Sequence, residues 1–147
     1  MTPIATPSGN RPIATLRVGD LVYSVDHGTV RAVPIMEVRR TEVSAEHRMT
    51  EVLLSSGVLL RISPSHPTAD GRNFAALRQG DELDGSLVEA VEDVAYGERF
   101  TYDILPDSDS ATYFAGGVLI GSTLGSPWAG SATSVAPEAP LSRADGR

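Results

Sequence analysis

The groups in this chain best suited to moving protons are its three histidines, and it contains no cysteine. His66 is the most conspicuous. It lies in the stretch Arg61–Gly71, "RISPSHPTADG", between Pro64 and Pro67 and just behind the hydroxyls of Ser63 and Ser65. An imidazole changes charge near neutral pH, so it can take a proton from a nucleophile or give one to a leaving group. Ser65 is a poor nucleophile for it, because no G-x-S-x-G elbow is present and adjacent strand residues face opposite sides. A second reading of His66 is structural, a hydrogen bond to a nearby carbonyl in a loop stiffened by two prolines. His27 follows Asp26 in a turn and His47 lies in the polar loop "TEVSAEHRMT", and both read as solvated. No H-x-x-x-H spacing occurs, so no metal site is expected. Asp107 and Asp109 stand two apart, as in an EF-hand loop, but lack its glycine and closing glutamate. "FAGGVLIG" matches neither phosphate-binding glycine pattern, so no nucleotide or other cofactor is expected.

The elements that must position His66 are strands. Short runs of β-branched and apolar residues alternate with turn signals throughout. The pattern predicts strands near Ile4–Thr6, Leu21–Val25, Val33–Arg40, Glu51–Ser55, Val58–Ile62, Val88–Tyr96, Phe100–Ile104, Thr112–Ala115 and Val118–Ile120. Asp26-His27-Gly28, Asp84-Gly85 and Gly116-Gly117 supply residues that tolerate the positive φ of tight hairpins. "NFAALRQG" predicts one helical turn closed by Gly80 as a C-cap. The fold class is all-β. One pattern occurs twice, "TLRVGDLV" at Thr15–Val22 and "ALRQGDEL" at Ala76–Leu83. Each copy precedes a strand-like stretch, which points to a duplicated β unit with pseudo-two-fold symmetry.

Composition narrows the class of partner. The chain has 147 residues, enough for one domain, expected over 1–125. Residues 126–147 are rich in Ser, Ala, Pro and Gly, with Trp128 the one aromatic side chain. They are expected to form a disordered tail. The net charge of −7 argues against nucleic acid or an anionic membrane as partner. All 12 basic residues are arginine, scattered along the chain. Without cysteine, disulfides, thiolate zinc sites and an internal cysteine nucleophile are excluded. No apolar run reaches membrane-spanning length and the N-terminus lacks a signal-peptide pattern, so a cytoplasmic protein is expected.

Taken together, four stretches resemble the Hint domain of hedgehog proteins and inteins. "TPIATPSGNRPIATLRVGDLV" is similar to that family's opening strand and its L-x-x-G-D turn. "GVLLRISPSHPTADG" is similar to its central Thr-x-x-His-Pro motif, "ALRQGDEL" to its second L-x-x-G-D element, and "TYDILPDSDSATYFAGGVLIGS" to its closing segment. They occur in order from Thr2 to Ser122. The resemblance implies a twisted, horseshoe-like fold of two related halves.

It also implies a site. Active members of the family process themselves. A Cys or Ser at the domain's start attacks the preceding carbonyl, the central His and Thr help the peptide nitrogen leave, and the closing Asp assists proton transfer. By that resemblance His66 corresponds to the central histidine, Ser63 to the threonine and Asp103 to the closing aspartate, and the three are expected to converge. The ends differ from the family pattern. The nucleophile would stand a few residues before Thr2, where the sequence begins with Met1, and Gly121 and Ser122 stand where inteins have His-Asn. Serine has no amide with which to cyclise and cut the chain. The expectation is a Hint-like domain without terminal chemistry that binds or scaffolds another protein through acidic loops and strand edges. The alternative is a self-cleaving domain whose nucleophile lies upstream, with Ser63, His66 and Asp103 catalytic. A third reading is an unrelated β module that shares only the turn motifs.

Overall fold

The structure is a computed structural model and describes residues 2–124. The expected tail, with Trp128, lies outside the described residues. Eleven strands follow one another: β1 Pro3–Thr6, β2 Gly9–Pro12, β3 Leu21–Asp26, β4 Thr29–Glu42, β5 Arg48–Leu54, β6 Leu59–Ile62, β7 Glu82–Leu83, β8 Ser86–Ala95, β9 Phe100–Pro106, β10 Thr112–Ala115 and β11 Val118–Gly121. The fold is all-β, as the alternating pattern predicts, and among the described residues no helix is long and apolar enough to cross a membrane. All nine expected strands form. The two additional ones, "GNRP" and "EL", carry too few apolar residues to show a period of two.

The strands make three curled sheets, ordered β11-β10-β1-β2, β3-β4-β9 and β6-β5-β8-β7. Three hairpins close through two residues of positive φ, namely His27-Gly28, Asp84-Gly85 and Gly116-Gly117. That geometry matches the right-handed twist of the flanking strands. Inward-facing Ile4, Val22, Ile35, Val52, Leu60, Val88, Ile104 and Ile120 belong to one continuous core.

The repeated Leu-Arg-x-Gly-Asp units adopt the same local structure. Each follows a short 3₁₀ turn, Ile13–Thr15 in one case and Phe74–Ala76 in the other. The Asp20 carboxylate accepts from the Arg17 N–H at 2.9 Å, and Asp81 accepts from the Arg78 N–H at 2.8 Å. Gly19 and Gly80 both have φ of +94°. Gly19 N–H bonds the carbonyl of Ile35, and Gly80 N–H bonds that of Val88. Ile35 and Val88 return the bond to Asp20 and Asp81. The duplicated unit read from the sequence is therefore real, and it underlies the two related halves of the horseshoe. Gly80 differs from its expected role as a helix cap. The 3₁₀ turn ends before it, and Gly80 supplies the left-handed corner that aims Asp81 back along the chain.

Candidate functional site

His66 lies in the tight loop after β6, which strand ladders alone do not hold. Its own N–H bonds the Ser63 carbonyl at 3.0 Å, and its carbonyl accepts from Phe74 N–H at 3.0 Å. Thr68 adds a bridge to Ile120 of β11, while Gly121 N–H donates to the Pro67 carbonyl at 3.1 Å. The loop and the end of β11 are thus laced together.

Within that lacing His66 is 6% exposed and its Nε2 lies 2.6 Å from the Gly121 carbonyl oxygen. A carbonyl only accepts, so Nε2 carries the hydrogen. The ring is walled by Phe74 and by Tyr113, whose ring meets it edge-on at 90°. Gly121 has a steric reason to be glycine. A Cβ there would stand 3.0 Å from the Thr68 carbonyl oxygen and 3.3 Å from Pro67 Cγ. A histidine at this position, as in the intein pattern, would press on that backbone.

Asp103, on β9 opposite Arg39, is 8% exposed. Its Oδ1 accepts from the Tyr113 hydroxyl at 2.7 Å and from Ile104 N–H at 2.8 Å. Its Oδ2 accepts from Thr123 N–H at 2.7 Å and also from the Thr123 hydroxyl. Four donors satisfy the carboxylate, which lets it stay buried without a cationic partner. Burial first, and then the Asp103 carboxylate, push the Tyr113 phenol well above its usual range, so it stays protonated and donates. Between His66 and Asp103 the segment leaving β11 is held residue by residue. Gly121 is fixed by its carbonyl, Ser122 N–H bonds the Ala111 carbonyl, and Thr123 is fixed by Asp103.

Ser63 stands apart from this arrangement. Its hydroxyl faces His47 Nε2 at 3.5 Å and Met49 Sδ at 3.8 Å. Of the three residues expected at one site, two share Tyr113 as a neighbour and the third has side-chain contacts of its own. His66 and Asp103 flank the end of β11, joined through Tyr113, while Ser63 turns toward His47. Ser63 and His66 belong to one turn, closed by the bond from His66 N–H to the Ser63 carbonyl, yet their side chains have different partners. Tyr113 and Thr123 carry the site as much as the expected residues do. Alternation along "TYFA" puts Tyr113 and Phe114 on opposite faces, but sequence alone does not say which faces Asp103.

His27, read as solvated, is exposed but not isolated. Its ring nitrogens lie 3.7 Å from Asp26 and 3.4 Å from Asp109, and its N–H bonds the Asp109 carboxylate. These three are grouped closely enough to share an ion. Backbone N–H groups already occupy one Asp26 oxygen and the Asp109 carboxylate, so the contact fastens the β3–β4 hairpin to the loop before β10.

Chemically, the arrangement polarises one peptide carbonyl through His66 and offers Thr123 a carboxylate able to take a proton. It provides no side-chain amide at position 122. Comparison with known proteins gives three results. A family model described as "Hint domain" matches residues 1–95. No curated protein matches the chain. Several solved structures are similar. A bacterial intein-like domain from Clostridium thermocellum superposes with a TM-score of 0.69 at 22% identity, covering 82% of this chain and 94% of that one. The gp41-1 intein gives 0.65 at 22% identity, over 82% and 93% of the two chains. The PabCDC21-1 intein gives 0.68 at 16%, over 82% and 95%. At such identities the likeness is one of fold.

Proposed function

The chain belongs to the Hint domain family, and from that membership we propose that it is a member without splicing or self-cleavage that serves as a protein-interaction or scaffolding module. The observation that carries this reading is the bond from His66 Nε2 to the Gly121 carbonyl. An acid for an acyl shift must be free to reach a leaving nitrogen. Here the Nε2 proton is spent on the chain's own backbone, in a site closed by Phe74 and Tyr113. Asp103 is likewise occupied by four donors that hold β9, β10 and the residues after β11 together. Ser122 has no amide, so succinimide formation has no reactant. Residues that resemble a catalyst's thus serve to close the horseshoe.

A second reading is favoured by the burial of His66 and Asp103 on either side of Tyr113. In it an upstream Cys or Ser starts an acyl shift that His66 completes. The test is the intact mass of the full natural gene product, with and without dithiothreitol. A single uncleaved species is expected. Thiol-dependent fragments that vanish in His66→Ala would replace the proposal with the second reading.

A further inference from the structure

The corner of the β3–β4 hairpin and the loop before β10 bring together three groups that no sequence spacing connects, since His27 and Asp109 are 82 residues apart. The loop is fastened to the end of β3 at several points. Ser108 Oγ lies 2.7 Å from the hydroxyl of buried Ser24, and Ser110 Oγ donates to the Val25 carbonyl. Asp109 N–H donates to Asp26 Oδ1 at 2.8 Å, and His27 N–H donates to the Asp109 carboxylate. His27 itself takes the hairpin corner, with φ of +51°. Backbone bonds therefore hold one imidazole and two carboxylates at the same place.

Those bonds leave atoms able to coordinate. Asp26 Oδ1 takes the Asp109 N–H, while Asp26 Oδ2 lies 3.7 Å from His27 Nε2. Asp109 Oδ2 shares one N–H with its twin oxygen and lies 3.4 Å from His27 Nδ1. A carboxylate oxygen that accepts one hydrogen keeps a second lone pair. Hydrogen bonds of this kind orient ligating carboxylates around a metal. One ligand atom from each residue falls within 4.8 Å of the other two. Zinc holds N and O ligands at about 2.0–2.2 Å, so the ligand atoms of one ion stand at most about 4.4 Å apart. A small turn of the His27 ring, which is 77% exposed, closes that difference and brings one nitrogen to both carboxylates. Imidazole nitrogen suits zinc and neighbouring transition metals, whereas calcium and magnesium take oxygen ligands. Local charge agrees. Among the described residues the arginines in ion pairs all face other carboxylates. Neither Asp26 nor Asp109 has a guanidinium partner, although exposed Arg31 stands near in the register, opposite Ser24.

We propose that Asp26, His27 and Asp109 bind a divalent transition-metal ion of the zinc class, completed by water, which clamps the β3–β4 hairpin to the loop before β10. The full chain, free of any histidine tag, is titrated with zinc chloride by calorimetry at neutral pH, and its thermal unfolding is followed with and without zinc. Saturable binding of one ion per chain is expected, with a raised unfolding midpoint, because the site exists only in the folded state. Calcium chloride should produce neither effect. His27→Asn keeps a residue that tolerates positive φ and should weaken zinc binding by about tenfold or more. Asp109→Asn should do the same, and His47→Gln, outside the cluster, should leave binding unchanged. Unfolding midpoints measured without zinc show that each variant folds. Absence of saturable zinc binding, equal binding of calcium, or zinc binding that His27→Asn leaves intact overturns the proposal.

Discussion

Replacing Asp103 by Asn tests the site's architecture with one atom's change of chemistry. The carboxylate accepts four hydrogens, two on each oxygen. An amide keeps one accepting oxygen and turns two N–H donors toward the other pair. If the oxygen stays with Tyr113 and Ile104, the amide nitrogen faces Thr123 N–H. If it flips, it faces Ile104 N–H. The hydroxyls of Thr123 and Tyr113 can rotate to accept, but a backbone N–H cannot. Either rotamer therefore loses one charge-assisted bond and leaves one backbone N–H opposed, the buried one of Ile104 or the part-buried one of Thr123, with each term in the range of about 1–3 kcal/mol. Relief of the buried charge returns part of this, leaving a net loss of about 3 kcal/mol. Urea unfolding at neutral pH is the assay, and with a slope of about 1–3 kcal/mol per molar the midpoint should fall by about 1–3 M. Tyr113→Phe removes one donor and leaves Ile104 satisfied, so it should cost about 1 kcal/mol. A loss below about 0.5 kcal/mol for Asp103→Asn, or equal losses for the two variants, would refute the four-donor account.

Other consequences are as direct. Gly121→Ala puts a methyl against the Thr68 carbonyl and should cost about 1–3 kcal/mol, read by thermal unfolding; an unchanged midpoint would show that the loop yields freely. Because Tyr113 has a raised pKa, the folded state holds that proton more tightly than the unfolded chain does. Its contribution is complete below the unfolded value of about 10 and is lost as pH climbs through the folded one. Stability should therefore decline in alkali, and less steeply in Tyr113→Phe. Gly19→Ala and Gly80→Ala meet no atom within 4 Å but share φ of +94°, so each should cost about 1 kcal/mol. Unequal losses would argue against equivalent halves.

Much of the fold is written in residue alternation. Val22, Val52, Leu60 and Ile104 sit at inward positions of strands that the pattern places, and the paired Leu-Arg-x-Gly-Asp turns announce the two halves. "GNRP" stays silent because its strand is held by ladder bonds rather than by apolar side chains, and "EL" because two residues show no period although Leu83 joins the core. His66 and Asp103 are legible by motif order, but their contacts are not. His66 meets a carbonyl 55 residues away and Asp103 a threonine 20 residues away. Ser63 is legible as a residue type and not as a direction, because one turn decides where its hydroxyl points. The apolar outer side of β3–β4 is visible in "LVYSV", though only the structure says which side the core takes.

On the proposed reading His66 works as a tie between the central loop and β11. That role is tested most directly by comparing the natural protein with its His66→Ala variant, measuring unfolding free energy and intact mass on the same samples. Loss of a buried bond that strands the Gly121 carbonyl, together with the cavity left by the ring, predicts a destabilisation of about 3 kcal/mol and one uncleaved species in each sample. Unchanged stability, with fragments present in the natural protein and absent from the variant, would contradict it.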